Sequence, residues 1–137
     1  VASVRPIMEI CVGMQMLFDG SAEDPTAVGL GVIEGSIEWI SDQLPRPQMQ
    51  WNQLDLPVAD PMFDGLGEHP WAYFVHSLHA VPTDPTVVAA TCQYGGTVNA
   101  AFRHDNVFAT QFHPEKSGQS GLAMLRNFVG SLQAATS

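Results

Sequence analysis

The sequence predicts an α/β domain in which strands outnumber helices, and three observations carry that expectation. Short apolar runs bounded by glycine and proline recur along most of the chain, the signature of strands. Near the start, one such run passes directly into residues at helical spacing. Near the end, a long segment carries an apolar stripe at helical spacing. Elements of both kinds in one chain of 137 residues call for a single layered core, so residues 1–137 are read as one domain.

Taken in order, "PIMEIC" (6–11) follows a proline and reads as a buried strand. "GMQMLFDGS" (13–21) changes period: Met14, Leu17 and Phe18 fall on one helical face, and Gly20 can close the helix. "VGLGVIEGSIEWI" (28–40) reads as two strands broken by glycines. Residues 44–57 are a proline-bounded segment around one short strand, and 60–70 a loop with one helical turn. "WAYFVHSLHA" (71–80) is rich in aromatic and β-branched residues and reads as one strand. Residues 86–96 and 97–106 form a hairpin joined at Gly95 and Gly96, and 106–115 is the last strand. In 120–135 the stripe Leu122, Leu125, Phe128, Val129 and Leu132 marks an amphipathic helix that packs on the sheet.

Composition narrows the function. The formal charge is −9, and the five cationic side chains, Arg5, Arg46, Arg103, Lys116 and Arg126, are scattered. Nucleic acid and anionic membranes need clustered Lys and Arg, so neither is expected as a partner. Cys11 and Cys92 lie far apart and form no CxxC, so no metal site and no cofactor is expected. The reading is a soluble protein of the cytoplasm.

The chemistry concentrates at two places. Cys11 lies at the predicted strand-to-helix turn. Such a turn lifts the thiol out of the sheet, and a helix N-terminus favours its thiolate. Gly13 leaves room for a sharp turn and for a substrate. By itself a single cysteine is more often a small core residue. The second place is "QFHPEKSG" (111–118). If the strand runs through it, His113 and Glu115 at i and i+2 share a face, which gives a base and the group that orients it. Nucleophile, base and orienter together make a Cys-His-Glu triad suited to acyl transfer from an amide through a thioester.

"ICVGMQMLF" followed by "QFHPEKSGQSGLAMLRNF" resembles the class I glutamine amidotransferases. "GLGVIEG", "PQMQWNQL", "YFVHS" and "ATQFHPEKSGQSGL" more finely resemble the glutaminase subunits of imidazole glycerol phosphate synthases, of histidine biosynthesis; the likeness runs from about Pro6 to Phe128. It implies a flavodoxin-like three-layer α/β fold and hydrolysis of glutamine to glutamate. The ammonia would pass to a (β/α)8-barrel cyclase subunit, the heterodimer partner. It implies Cys11 as nucleophile, His113 as general base and acid, and Glu115 as its orienter. Gly13, Gln15 and Ser77 would line the glutamine site. Lys116, Trp51 and Tyr73 would lie at the partner interface, although aromatics and a surface lysine also fit ordinary roles. His76 is as readily structural as functional.

The chain departs from that pattern in four ways. Glu9 stands where the family usually has glycine, two residues before the nucleophile, where its charge would raise the pKa of Cys11. Gln50 replaces a glycine, and Leu78 a tyrosine. The family also carries roughly seventy residues before the elbow strand, against a usual domain of about 100–200; these include a Pro-Gly-Val-Gly-type segment that supplies oxyanion donors. The expectation is therefore an N-terminally incomplete fold, the C-terminal two-thirds of a glutaminase. Two other readings stay open: the glutaminase of another class I synthase, and a non-catalytic module that binds and regulates the barrel.

Overall fold

The computed structural model describes residues 5–22, 26 and 28–136, without the side chains of Val12 and residues 134–136; residues 1–4, which the sequence reading includes in the domain, lie outside that description. The elements run β1 (Ile7–Ile10), α1 (Val12–Gln15), β2 (Gly20–Ser21), β3 (Gly35–Trp39), β4 (Gln48–Gln53), β5 (Trp71–His76), β6 (Leu78–Pro82), β7 (Val88–Gln93), β8 (Thr97–His104), β9 (Val107–Thr110) and α2 (Gly118–Thr136). Strands thus outnumber helices among the described residues, as expected. None of the described helices is long and apolar enough to cross a membrane.

The central sheet has the order β1-β9-β8-β7. Only the β1–β9 pair in it is parallel, with Ile7 opposite Val107 and Ile10 opposite Thr110. β9 is buried at all four positions, and its alternation shows why. Phe108 faces a cluster built on Leu54, Phe63, Phe74, Phe112 and Met124. Val107 and Ala109 face a second cluster built on Met14, Phe18, Ile37 and Phe102. Successive side chains point to opposite faces, so a strand covered on both sides reads as an unbroken apolar run. A three-stranded sheet, β2-β3-β6, and the β4-β5 hairpin complete the fold.

Several expected elements are shorter or broken. The helix expected over 13–21 stops at Gln15. Met14, Leu17 and Phe18 are buried together as their spacing predicts, but tighter turns carry the last two, with Leu17 N donating to Met14 O and Phe18 N to Gln15 O. The chain then leaves to pair β2 with β3, so Gly20 opens a strand rather than closing a helix. Residues 28–40 give one strand, β3, and an isolated bridge at Val28. The strand expected over 71–80 breaks at Ser77: β5 pairs with β4 and β6 with β3. At that break the His76 ring bonds back to Leu78 O at 2.6 Å. The hairpin turning at Gly95 and Gly96 is present.

Within α2, Phe128 of the expected stripe packs against the core beside the fully buried Met124, whereas Leu122 and Val129 face solvent. The helix lies so close to the preceding turn that a Cβ on Gly121 would stand 1.8 Å from Pro114 O. Any side chain there would push the helix off.

Asp60 ties the loop 60–70 to the central sheet. Its carboxylate accepts Met62 N, capping the short turn Pro61–Phe63, and takes both Nε and an Nη of Arg103 at 2.9 Å. Arg103 in turn lies over Phe108, 5.0 Å from the ring centre. Asp60→Ala leaves the guanidinium without its bidentate partner and the turn without its cap. Because Arg103 is partly exposed, the expected loss is roughly 2–3 kcal/mol, read as a lower midpoint in urea denaturation. A midpoint within about 0.5 kcal/mol of wild type would show that the pair is dispensable.

Candidate active site

Cys11 sits between β1 and α1 with a φ of 55°. A residue with a Cβ rarely adopts this left-handed conformation, and strain of this kind concentrates at functional turns. Two backbone bonds hold it: Cys11 N donates to Thr110 O at 2.7 Å, and Gln15 N donates to Cys11 O at 3.0 Å. The first makes the elbow a continuation of the parallel β1–β9 pairing. The second makes it the start of α1. Gly13 is the second residue of that helix, and a Cβ there would meet Glu9 Oε2 at 2.5 Å. Glu9 therefore ends over the elbow, in the space that Gly13 leaves open.

The thiol has a polar neighbour that the sequence reading did not single out. Gln111 Nε2 donates to Cys11 Sγ at 3.7 Å, and Gln15 Nε2 donates to Gln111 Oε1 at 3.1 Å. Gln111 is completely buried. The signal available was a glutamine among apolar residues at the end of the strand beside the elbow.

His113 and Glu115 do not lie on a strand. β9 ends at Thr110, and Pro114 starts a short 3-10 turn, Pro114–Lys116; its fixed φ and missing N–H favour the first position of such a turn. The expected pairing survives by other means, with His113 Nδ1 3.0 Å from Glu115 Oε1. A carboxylate can only accept, so Nδ1 carries the proton and the lone pair of the neutral ring is on Nε2. Ser117 fixes this turn: its hydroxyl donates to His113 O at 2.6 Å and accepts Tyr73 N at 2.9 Å. His113 N also donates to Tyr73 O. Cys11 is one residue past the end of β1 and His113 three past the end of β9. Both thus leave the same end of adjacent parallel strands.

The remaining candidates divide. Trp51 and Tyr73 are directly opposed across β4–β5, with their rings in edge contact at 5.7 Å. Trp51 is 47% exposed, which removes the reading of it as a core aromatic, and its ring reaches the start of α2 at Gly118. Met49 and Trp71 are exposed on the same hairpin. Lys116 is exposed in the turn after His113. Ser77 stands where β5 passes into β6, and its carbonyl accepts Ile40 N.

His76 is a core residue. Its Nδ1 meets Leu78 O, and Nε2 lies 2.7 Å from the Gln48 amide. That amide in turn stands 3.9 Å from Cys92 Sγ. Burial pushes the His76 pKa down to about 4, against the opposing bond to Leu78, and pushes the Cys92 thiol up to about 12. With Nδ1–H donating to Leu78 O, a neutral ring can only accept at Nε2, so the series closes when the Gln48 amide is turned with its N–H to Nε2 and its oxygen to the Cys92 thiol. Burial lowers His79 in the same direction.

The sequence matches the family Glutamine amidotransferase class-I over residues 1–132. It is 45% identical to imidazole glycerol phosphate synthase subunit HisH of Synechococcus elongatus, over 97% of this chain and 63% of that protein. It is 50% identical to the subunit of the same name from Synechococcus sp. strain JA-2-3B'a(2-13), over 91% of this chain and 59% of that protein. The chain therefore spans about 60% of the length of these relatives. Among solved structures, PurLQS of Thermotoga maritima superposes with a TM-score of 0.68 at 22% identity, covering 93% of this chain and 62% of that one; this likeness speaks for the fold alone.

The buried histidine gives a pH prediction. The unfolded chain protonates His76 near 6.5, while the native state resists until about 4. Its contribution to stability is thus complete above pH 6.5 and drains away as the pH falls towards 4, by about 3 kcal/mol in all. Urea denaturation at intervals from pH 7 to 4 should show this fall, and His76→Gln should flatten it. An equal slope in the variant would assign the fall to other groups.

Proposed function

The chain belongs to the class-I glutamine amidotransferases, and from that premise we propose that it is the C-terminal two-thirds of the glutaminase subunit of an imidazole glycerol phosphate synthase. The observation that carries this reading is Cys11 at φ 55°, at the same end of the sheet as the His113–Glu115 pair. Cys11 Sγ attacks the side-chain amide carbon of glutamine while His113 Nε2 takes the thiol proton. Glu115 steadies the imidazolium that forms. The tetrahedral intermediate collapses to a thioester as His113 returns the proton to the departing ammonia. Water, deprotonated by the same ring, then hydrolyses the thioester to glutamate. The N–H of Val12, next after the nucleophile, is the elbow's own oxyanion donor. Gly13, Gln15 and Ser77 contribute to the glutamine site. The ammonia passes to a (β/α)8-barrel cyclase partner, and the reading carries with it histidine biosynthesis in the cytoplasm.

The exposed face of β4–β5 beside His113 supports a partner surface. Trp51, Tyr73 and Lys116 would sit in it, with the rim supplied by Met49 and Trp71. Aromatic anchors of this kind carry much of the affinity of protein interfaces.

One observation favours a second reading. Glu9 lies over Gly13 at the elbow, and a carboxylate beside a thiol opposes the thiolate. The chain would then bind and regulate the barrel without making ammonia.

Two experiments address these readings. The full-length subunit, mixed with its cognate barrel, is expected to release glutamate from glutamine. Cys11→Ala should abolish release, a fall of at least about 10³-fold. No release by the intact complex, together with recovery in Glu9→Gly, would establish the second reading. Trp51→Ala should weaken the complex by about tenfold or more, measured by titration calorimetry. An unchanged affinity would move the interface elsewhere.

A further inference from the structure

We propose that Gln111 is a positioning residue for the nucleophile, holding Cys11 Sγ through its amide N–H and favouring the thiolate. The inference deepens the glutaminase reading and rests on it for the role of Cys11. Gln111 has no exposed surface. Removing an amide from water without hydrogen bonds is strongly unfavourable, so the bonds it makes explain why it is there. They are few and directed. Its Nε2 points to Cys11 Sγ at 3.7 Å, and its Oε1 accepts Gln15 Nε2 at 3.1 Å. Its backbone N is bonded to Ala100 O, which fixes the Cα from which the side chain reaches the elbow.

The direction of the first bond matters. A thiol can donate to the oxygen of an amide or accept weakly from its nitrogen; a thiolate can only accept. Here the N–H faces sulfur, and Gln15 holds the amide that way round by occupying its oxygen. An N–H donated to an ionised acceptor is stronger than one donated to a neutral group, so this orientation stabilises the charged form selectively. Residues 111, 15 and 11 are thereby one relay joining the ends of β9, α1 and β1. A residue needed only to fill this buried position would be served as well by leucine or methionine.

The test is the pH dependence of Cys11 alkylation by iodoacetamide, in the full-length subunit and in Gln111→Met. Cys92 is fully buried and serves as the unreactive internal reference. The variant should show the midpoint moved up by about one pH unit and a rate at pH 7 lower by about tenfold. In the complex with the barrel, kcat for glutamate release should fall while KM holds. A purely structural role would lower the thermal midpoint and leave the alkylation profile where it was; superimposable profiles overturn the proposal. If Gln111→Met does not fold, Gln15→Met releases the same amide from its other end and should shift the profile in the same direction. Should the complex release no glutamate while the profile still shifts, the glutaminase reading fails and the relay stands.

Discussion

The parallel register of β1 on β9 is the constraint on which the site depends. Ile10 stands opposite Thr110, and the pairing runs one bond further, from Cys11 N to Thr110 O. That bond sets Cys11 beside Gln111, and two residues later the chain reaches His113. A slip of one residue would turn every β9 side chain to the other face. It would drive Phe108 into the cluster that holds Val107 and Ala109, and take Gln111 away from the sulfur. The apolar burial of β9 on both faces therefore fixes not only the core but the alignment of Cys11 with the segment that carries His113. Stability and chemistry are specified by the same four residues.

His113 needs a second support, because it lies beyond the sheet. Ser117 provides it by joining His113 O to Tyr73 N through one hydroxyl. The turn is thus fastened to β5, and through β5 to the exposed Trp51 hairpin. Gly121 lets α2 close over the same turn. A partner that pressed on Trp51 or on the start of α2 would be one residue removed from the backbone of His113. The exposed Trp51 hairpin and the backbone of His113 are thus joined by a short physical route, made of packed rings and one hydroxyl.

The sequence made legible what local chemistry decides. The elbow followed from an apolar run meeting helical spacing at Cys11. The His113–Glu115 pair followed from its spacing, although a proline turn and not a strand holds it. The hairpin followed from Gly95 and Gly96. What stayed hidden was decided by distant pairing. Nothing in "WAYFVHSLHA" marks Ser77 as the point where the strand changes partners; β4 and β3 decide that, one on each side. Leu122 and Val129 fit a helical stripe as well as Met124 does, and only the close approach at Gly121 selects which face turns inward. Gln111 was hidden for a related reason: a glutamine at a strand end reads as polar and exposed until a neighbouring strand brings a sulfur to it.

The electrostatics of the elbow bring these strands together. Glu9 shares a face of β1 with Ile7, and its carboxylate finishes over Gly13, so one face of the turn carries negative charge. A thiolate forming there would meet a like charge, and α1 is a single turn with little dipole to offset it. The chain places its compensation elsewhere. A buried amide, oriented by a second amide, offers sulfur a donor from the β9 side. Neutral donors suit this position better than a cation would. A lysine at 111 would place a charge at a position with no exposed surface, which is far more costly than an amide there. An amide lowers the cost of the thiolate charge, so the departure at Glu9 and the relay through Gln111 belong to one balance at the sulfur.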